Sequence, residues 1–248
     1  MKTVWSYGGG TQTAAIAVLI LQGKLPRPDV VVMADTGREI ESTWQYLRDV
    51  VQPALDTIGL TVQVAGHELS NYDLWKSDDY LLIPAFTSQS GGGKLPTYCS
   101  DEWKQRPIRR WLRQQDINDC DVWLGISTDE LERMKPSGLK WYRHVYPLIE
   151  LVPTSRVNCA ALVESFGWPS PPKSRCWMCP NQSPLMWSDM RKQQPAEFEK
   201  ATEFEKEVQR ADPHIWLHKA MIPLVDAVDI TDKQPGLFDG CDSGYCFV

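Results

Sequence analysis

The sequence lacks the features of exported and membrane-bound proteins. No apolar run approaches the roughly 20 residues of a membrane-spanning helix, and the first residues lack the charged-then-apolar order of a signal peptide. The chain also lacks an excess of positive charge, since its net charge is -6. No overall positive field therefore attracts it to anionic membranes or nucleic acid, and any contact of that kind must be local. We expect a cytoplasmic protein with no membrane partner.

The sequence also lacks an even set of cysteines. It has seven, in a chain without an export signal, so a framework of disulfides is a poor explanation of them. Metal binding or redox chemistry explains them better.

Strand and helix patterns alternate along the first half of the 248-residue chain. Apolar runs at residues 3–7, 29–34, 60–65 and 121–126 predict strands, and helical patterns at 13–21 and 40–58 lie between the first three. Short βα spacing of this kind predicts an α/β fold with a doubly wound, mainly parallel, Rossmann-like sheet. From about residue 150 prolines break the pattern, and a helix is predicted at 196–210. We therefore predict a nucleotide-binding α/β domain over residues 1–150 and a helical, cysteine-containing region over 151–248.

A glycine-rich turn joins the first predicted strand to the first predicted helix. It reads SYGGGTQT over residues 6–13 and fits neither the GxGxxG pattern nor a Walker loop. Because glycine has no Cβ, the amide N–H groups of this turn can come close to an anion. The N-terminus of the following helix adds a favourable dipole. The turn predicts a phosphate site, with a glycine-rich β-turn without a ligand as the alternative.

Four blocks of sequence, taken together, resemble a known superfamily. GGGTQT at residues 8–13, ADTGREIEST at 34–43, YCSDEWKQRP at 98–107 and GISTDELERMKPS at 125–137 occur in the order seen in phosphoadenosine phosphosulfate (PAPS) reductases. These belong to the adenine nucleotide α-hydrolase superfamily, whose pyrophosphate (PP) loop also serves tRNA thiolation and DNA phosphorothioation enzymes. The chain is most similar in pattern to uncharacterised reductase-like proteins of phages and bacteria.

The resemblance implies an adenine nucleotide, either ATP or a sulfonucleotide (PAPS or APS), as the ligand. It also implies roles for residues of the four blocks. The predicted nucleotide-binding residues are Gly8, Gly9, Gly10, Thr11, Gln12, Thr13, Asp35, Thr36, Gly37, Asp129 and Glu130. The predicted catalytic residues are Lys104, Arg133 and Cys246, with Lys104 and the loop amides stabilising charge on phosphate.

Three positions depart from the family pattern. Gln12 stands where the family loop usually has Asp, Gly8 where it has Ser, and Ser127 where the reductases have Arg. Two of the other residues also have structural alternatives: Asp35 as a helix N-cap, and Arg133 as the partner of Glu130 on one helical face.

The cysteines suggest a metal site. Cys176 and Cys179 form a CxxC pair in a proline-rich segment, a spacing that suits one zinc ion or one iron of a cluster. In APS reductases a cysteine before the Lys/Pro helix joins a late CxxC pair on a 4Fe-4S cluster. The resemblance therefore implies a cluster on Cys99, Cys159, Cys176 and Cys179, while spacing alone leaves zinc open.

Cys241 and Cys246, near the C-terminus, allow two interpretations. The family's reductases end in a mobile tail whose cysteine attacks sulfur, which would make either thiol catalytic. Alternatively, the two cysteines complete a structural zinc site with Cys176 and Cys179.

Arginines recur on one face of the helix predicted after Lys104. Arg106, Arg109, Arg110 and Arg113 are spaced i, i+3, i+4 and i+7, and Trp103 and Trp111, whose rings could stack on bases, lie near them. This face could bind the phosphates of a nucleic-acid acceptor, or it could simply be a charged surface exposed to solvent.

The sequence thus leads to one hypothesis and two alternatives. The hypothesis is a PP-loop enzyme that cleaves ATP between its α and β phosphates and adenylates a target, which sulfur or another nucleophile then attacks. A sulfur- or electron-donor protein would be a further partner. The alternatives are a sulfonucleotide reductase that uses a cysteine thiol, and a non-catalytic nucleotide-binding module with structural zinc.

Overall fold

The computed structural model describes residues 1–66, 74–76, 80–89 and 91–234. Cys241 and Cys246, and with them the predictions about the C-terminal pair, lie outside the described residues. No helix in the described ranges is long and apolar enough to cross a membrane.

The strands are short. In chain order they are β1 (Lys2–Ser6), β2 (Val30–Ala34), β3 (Val62–Ala65), β4 (Trp75–Lys76), β5 (Tyr80–Leu81), β6 (Phe86–Thr87), β7 (Gly93–Lys94), β8 (Cys120–Trp123), β9 (Tyr142–Val145) and β10 (Ile215–Trp216).

The α-helices are distributed along the whole described chain. They are α1 (Thr11–Leu21), α2 (Glu41–Tyr46), α3 (Gln52–Asp56), α4 (Arg106–Gln114), α5 (Pro147–Glu150), α6 (Arg156–Ser165), α7 (Pro184–Gln193), α8 (Pro195–Ala211) and α9 (Leu224–Lys233). Wider, π-helical turns occupy Leu47–Val51 and Asp101–Gln105, and a 3-10 segment occupies Thr128–Arg133.

Five strands form a central sheet in the order β3-β2-β1-β8-β9, and every neighbouring pair is parallel. Val4 of β1 lies opposite Val30 on one side and Val122 on the other, so β1 is the middle strand. The chain builds outward from β1 through β2 to β3, and then returns to the other side of β1 at β8. Open α/β sheets bind ligands at the point where the strand order reverses, which here lies between β1 and β8.

Helices cover both faces of this sheet. On one face a core cluster joins α1, the α2–α3 helix and α6 to strand residues such as Trp5 and Val31. On the other face Ile108 and Leu112 of α4 pack with Val4, Val32 and Val122. Strands covered on both sides need continuous apolar residues, which explains VVVMA in β2. The predicted doubly wound α/β fold is confirmed.

The predicted helix at 40–58 forms as one run with an interruption in its hydrogen-bond pattern. Helix α2 passes into the π-helical turn Leu47–Val51, and α3 follows directly. Pro53 follows just after this π-helical turn, and because a proline lacks the N–H that a continuous helix bonds to a carbonyl one turn back, it lies where the hydrogen-bond pattern changes.

Contacts divide the chain into two compact units. The first contains residues 1–71 and 103–174, with the central sheet, and the second contains 72–102 and 175–248. Within the second unit, β6 pairs with β7 and β10, and α7 packs against α8 and α9. The units are discontinuous in sequence, unlike the single boundary after residue 150 that we predicted, because the segment before α4 groups with the C-terminal helices.

Candidate functional site

The glycine turn follows β1, the middle strand of the sheet. Gly9 has φ 75°, in the left-handed region that favours glycine, and Gly10 is the extended N-cap of α1. Thr13 closes the turn, because its Oγ1 accepts from the amide of Gly10 over 3.1 Å and donates to the Gly10 carbonyl over 2.9 Å. Among the described residues, nothing accepts a hydrogen bond from the amides of Gly8 and Gly9. The first turn of α1 contains no acidic residue.

Close packing accounts for two of the glycines at this end of the sheet. A Cβ on Gly9 would lie 2.3 Å from Cγ2 of Thr43, and one on Gly125 would lie 2.8 Å from Cγ2 of Thr13. Both distances are shorter than side chains tolerate, so the turn is packed between α2 and the segment that follows β8.

The segment after β2 forms a second turn at the same edge of the sheet. Oδ1 of Asp35 accepts the amide of Gly37 over 2.6 Å, and Gly37 itself has φ 62°. Thr36 is buried, and its hydroxyl accepts the amide of Arg38 over 3.2 Å. Arg38 stacks on the ring of Trp103 at 4.6 Å. The Asp35 side chain thus stabilises its own turn, which is compatible with its predicted contact to a nucleoside.

A buried carboxylate lies behind the glycine turn. The side chain of Glu39 is only 3% exposed, and its Oε1 accepts hydrogen bonds from Thr43 Oγ1 at 3.1 Å and Ser174 Oγ at 2.8 Å. Its Oε2 lies 4.0 Å from Nζ of Lys104. We refer to these four residues as the Glu39 cluster.

In the sequence, only the i, i+4 spacing of Glu39 and Thr43 could have indicated the Glu39 cluster. Ser174 is 135 positions away from Glu39 in the chain, and Lys104 belongs to another block. The cluster lies next to the glycine turn, because a Cβ on Gly9 would come within 2.3 Å of Cγ2 of Thr43 and 3.6 Å of Cβ of Ser174.

The residues after β8 reach the glycine turn from the other side. Nε2 of Gln12 donates to Oε2 of Glu130 over 2.9 Å, and NH1 of Arg133 donates to Oε1 of the same carboxylate over 2.5 Å. The predicted binding residues Gln12 and Glu130 therefore meet. Arg133 pairs with Glu130 within one 3-10 segment, as the structural alternative proposed.

Asp129 contacts a different element. Its Oδ1 accepts the amide of Arg156 over 2.9 Å, at the start of α6. Burial opposes its charge, but the nearby Ser127 hydroxyl and the hydrogen bond from the Arg156 amide outweigh burial and lower the pKa of Asp129. This side chain supports α6, and its predicted nucleotide contact stays a prediction.

The described cysteines differ in their surroundings. Cys159 is completely buried in the core between α1, α6 and the sheet, and burial raises the pKa of its thiol to about 12. Cys120 is also buried, with its pKa raised to about 11 by burial. Cys99, Cys176 and Cys179 are half-buried and belong to the second unit, where the amide of Cys179 donates to the Cys176 carbonyl over 3.1 Å.

The donor set that the structure describes does not form a cluster site by itself. Within the described ranges, no three His, Cys, Asp or Glu side chains converge as metal ligands would. The burial of Cys159 among apolar side chains is typical of a structural cysteine. Cys241 and Cys246 lie outside the described residues, so the ligand sets proposed for the CxxC pair stay predictions.

A lysine that the sequence did not single out lies beside the CxxC pair. Nζ of Lys94 donates to Oδ1 of Asn181 and lies 5.5 Å from the centre of the Phe86 ring. Burial lowers the pKa of Lys94 to about 7, and the nearby Cys179 opposes that shift.

The predicted basic face forms on α4. Arg106, Arg110 and Arg113 are exposed and Arg109 is half-buried, while Ile108 and Leu112 face the core. Arg113 stacks on Trp141 at 4.1 Å. Trp103 is buried, so it packs in the core and presents no ring to a nucleic-acid base.

Comparison with known proteins adds one relative of unknown function. No protein-family model matches the chain. The chain is similar to an uncharacterised nin region protein, ORF290, of Escherichia phage lambda, with 24% identity over 152 residues. The match covers 55% of this chain and 51% of the phage protein, so the chain spans about half the length of the curated relative it matches.

Proposed function

We propose that the protein binds an adenine nucleotide with its phosphates on the glycine turn, and that it cleaves ATP between the α and β phosphates to adenylate a target. The observation that carries the proposal is the turn itself: two glycine amides with no acceptor in the part of the chain that the structure describes, at the N-terminus of an 11-residue helix, after the middle strand of a parallel sheet. Such amides and the helix dipole favour an anion, and phosphate is the anion most often bound at this position.

Charged side chains at the turn support phosphate binding and limit its strength. Lys104 lies on the β2 side of the turn, and Arg133 lies on the β8 side. Each has a carboxylate partner, Glu39 and Glu130 respectively. The net charge of these four side chains is zero, so the turn amides must supply much of the attraction to phosphate.

In the proposed reaction these groups stabilise the negative charge that develops on the nucleotide's phosphates. The bond from the α phosphorus to the bridging oxygen breaks, the target's nucleophile bonds to the α phosphorus, and pyrophosphate leaves with the electron pair. Turn amides and the Lys104 ammonium stabilise the growing negative charge on the phosphate oxygens. No step of this reaction requires a metal cluster.

The test is nucleotide binding, measured by titration calorimetry with ATP, ADP and AMP, followed by an assay for pyrophosphate release. Gly9→Ala should weaken ATP binding at least about tenfold, because a Cβ at this left-handed position would displace Thr43 and distort the turn. Gly23→Ala is the matched control: Gly23 has φ 69° and open space around it, so the same backbone cost arises away from the turn. A wild-type protein that binds none of the three nucleotides would refute the proposal.

One observation favours a second candidate, a nucleotide-binding module without turnover. The side chain of Gln12 is neutral and is held by Glu130, so the turn presents no carboxylate of its own for a metal-bound triphosphate. This candidate predicts ATP binding with no pyrophosphate released, and any release above that of a Gly9→Ala control would eliminate it.

A further inference from the structure

We infer that the basic face of α4 binds nucleic acid through its phosphates, without reading the base sequence. This face consists of Arg106, Arg110 and Arg113, with Arg109 at its border. The inference goes beyond the proposed function, which names no target, and its test requires no nucleotide.

The concentration of positive charge on α4 is the first argument. The chain as a whole has a net charge of -6, but the nine residues of α4 contain four arginines and no acidic residue. The whole chain has thirteen arginines, so almost a third of them fall within residues 106–113. Arginine presents a planar fork of N–H donors that fits phosphate oxygens, whereas lysine presents a point charge. This local composition is typical of a phosphate-binding surface.

The direction of these side chains is the second argument. Ile108 and Leu112 are the buried residues of α4, and they pack on the sheet. Because each residue turns the helix by about 100°, Arg106, Arg110 and Arg113 fall within about 60° of one another on the opposite side. All three are exposed, so their charges face solvent together.

The neighbours of Arg113 provide the third argument. Asp119 and Asp121, which follow α4, both pair with Arg143 at 2.7 Å. Arg113 instead stacks on Trp141, with its guanidinium carbon 4.1 Å from the ring centre. A stacked guanidinium keeps its N–H groups around the rim of its plane, where phosphate oxygens approach. The stack thus positions one cation of the face without using its donors.

The length and course of the face fit a strand of nucleic acid. Arg106 and Arg113 lie about 10 Å apart along the helix, which matches the axial rise of about three phosphates on one strand of a duplex. Helix α4 leads into β8, so it runs back from the edge where the strands end to the edge where they begin. Trp141, which Arg113 contacts, directly precedes β9 and lies at that second edge. Arg106 is therefore at the end of α4 that is nearer the glycine turn.

The experiment measures binding by fluorescence anisotropy, with one labelled oligonucleotide sequence offered as single-stranded DNA, as RNA and as duplex DNA. The wild type should bind at least one form, and the form bound most tightly identifies the kind of nucleic acid. Arg110→Gln/Arg113→Gln should weaken binding at least about tenfold at about 50 mM salt. It should also reduce the slope of log affinity against log salt by about 1.4–1.8, because each lost phosphate contact removes about 0.7–0.9.

Lys24→Gln/Arg48→Gln is the matched control, because it removes the same number of charges. Both residues are exposed, and they adjoin α1 and α2 on the other face of the sheet from α4. The control should leave nucleic-acid binding and its salt slope unchanged. Glutamine is a good helix former, so α4 should stay folded in the test variant, and thermal unfolding checks this.

A second variant keeps the charge of the face. Arg110→Lys/Arg113→Lys should retain the salt slope of the wild type, because the slope counts neutralised phosphates. Its affinity should fall by less than that of Arg110→Gln/Arg113→Gln. A lysine variant that binds as weakly as the glutamine variant, with the same reduced slope, would contradict phosphate binding by this face.

Two further results would overturn the inference. One is a wild type that binds none of the three nucleic acids at about 50 mM salt, including one that binds phosphatidylserine vesicles instead. The other is an equal loss in the α4 variant and in the control, which would be an effect of overall charge. The proposed function fails separately: a protein that binds nucleic acid through α4 but binds no ATP would refute that function and leave this inference standing.

Discussion

Gln12 and Glu130, 118 positions apart in the sequence, are joined by a hydrogen bond of 2.9 Å between Nε2 and Oε2. Gln12 lies in the first turn of α1 and Glu130 in the 3-10 segment after β8. The bond therefore connects the two strands on either side of the point where the chain reverses its direction across the sheet. It thus bridges the edge of the sheet at which we propose that the nucleotide binds.

Loss of this bond should lower stability. Gln12→Ala is expected to reduce the free energy of unfolding by about 1.5 kcal/mol, because the partner is a charged and partly buried carboxylate. Urea denaturation measures this change. In a Glu130→Ala background the same substitution should cost far less.

Gln63→Ala is the control for Gln12→Ala. Gln63 is exposed on β3, and its amide only reaches the carbonyl of Thr61 at 3.5 Å. Gln63→Ala should reduce the free energy of unfolding by no more than about 0.5 kcal/mol. Equal costs for the two glutamines would show that the bond to Glu130 contributes nothing to stability.

Gly125 should be intolerant of a side chain because of Thr13. Gly125→Ala is expected to lower stability by about 1–3 kcal/mol, the usual cost of overpacking, since its Cβ would lie 2.8 Å from Cγ2 of Thr13. Thr13→Ser removes that methyl group and keeps the hydroxyl that binds Gly10. Gly125→Ala should therefore cost less, by about 1 kcal/mol, in the Thr13→Ser background. Thermal unfolding of the four proteins measures this, and equal costs in both backgrounds would contradict the contact.

Cys159 should behave as a core residue whatever metal the protein binds. Its buried thiol, with a pKa of about 12, should resist alkylation by iodoacetamide at pH 8 in the folded protein. Cys159→Ala should leave the iron or zinc content of purified protein unchanged, while Cys176→Ala and Cys179→Ala test the CxxC pair in parallel. Loss of metal from the Cys159 variant would place this thiol among the ligands after all.

Asp232 should make stability depend on pH in the acid range. Hydrogen bonds from Lys192 and Ser188, together with Arg191, hold the pKa of its carboxyl well below the usual range and connect α7 to α9. A lowered pKa in the folded state contributes stability above the unfolded value of about 3.9, and this contribution is lost as pH falls through the folded pKa.

Asp232→Asn tests this dependence. We expect it to be less stable than the wild type at pH 7 by about 2 kcal/mol, and the gap to narrow below about pH 4. Urea denaturation at a series of pH values gives the comparison, with Asp226→Asn as a control on the same helix. A gap that stays constant down to pH 2 would contradict the assignment.

Local sequence patterns were sufficient to predict the framework of the site. The apolar runs of β1, β2 and β3, the glycine turn and α1 were predicted within one or two residues. Strand β9 was missed, because Tyr142–Val145 contains Arg143 and His144 and lacks an apolar run. It is an edge strand that pairs on one side with β8, and Arg143 pairs with Asp119 and Asp121.

The sequence by itself determined the α/β class, the parallel sheet and the position of the glycine turn, because these depend on residue spacings that act within a few turns of chain. Only the tertiary structure decided the partners at the turn. It placed Glu39 beside Lys104 and Ser174, joined Gln12 to Glu130, and enclosed Cys159 in the core. Buried charges and thiols acquire their environment from segments far away in the chain, and no local spacing encodes those contacts.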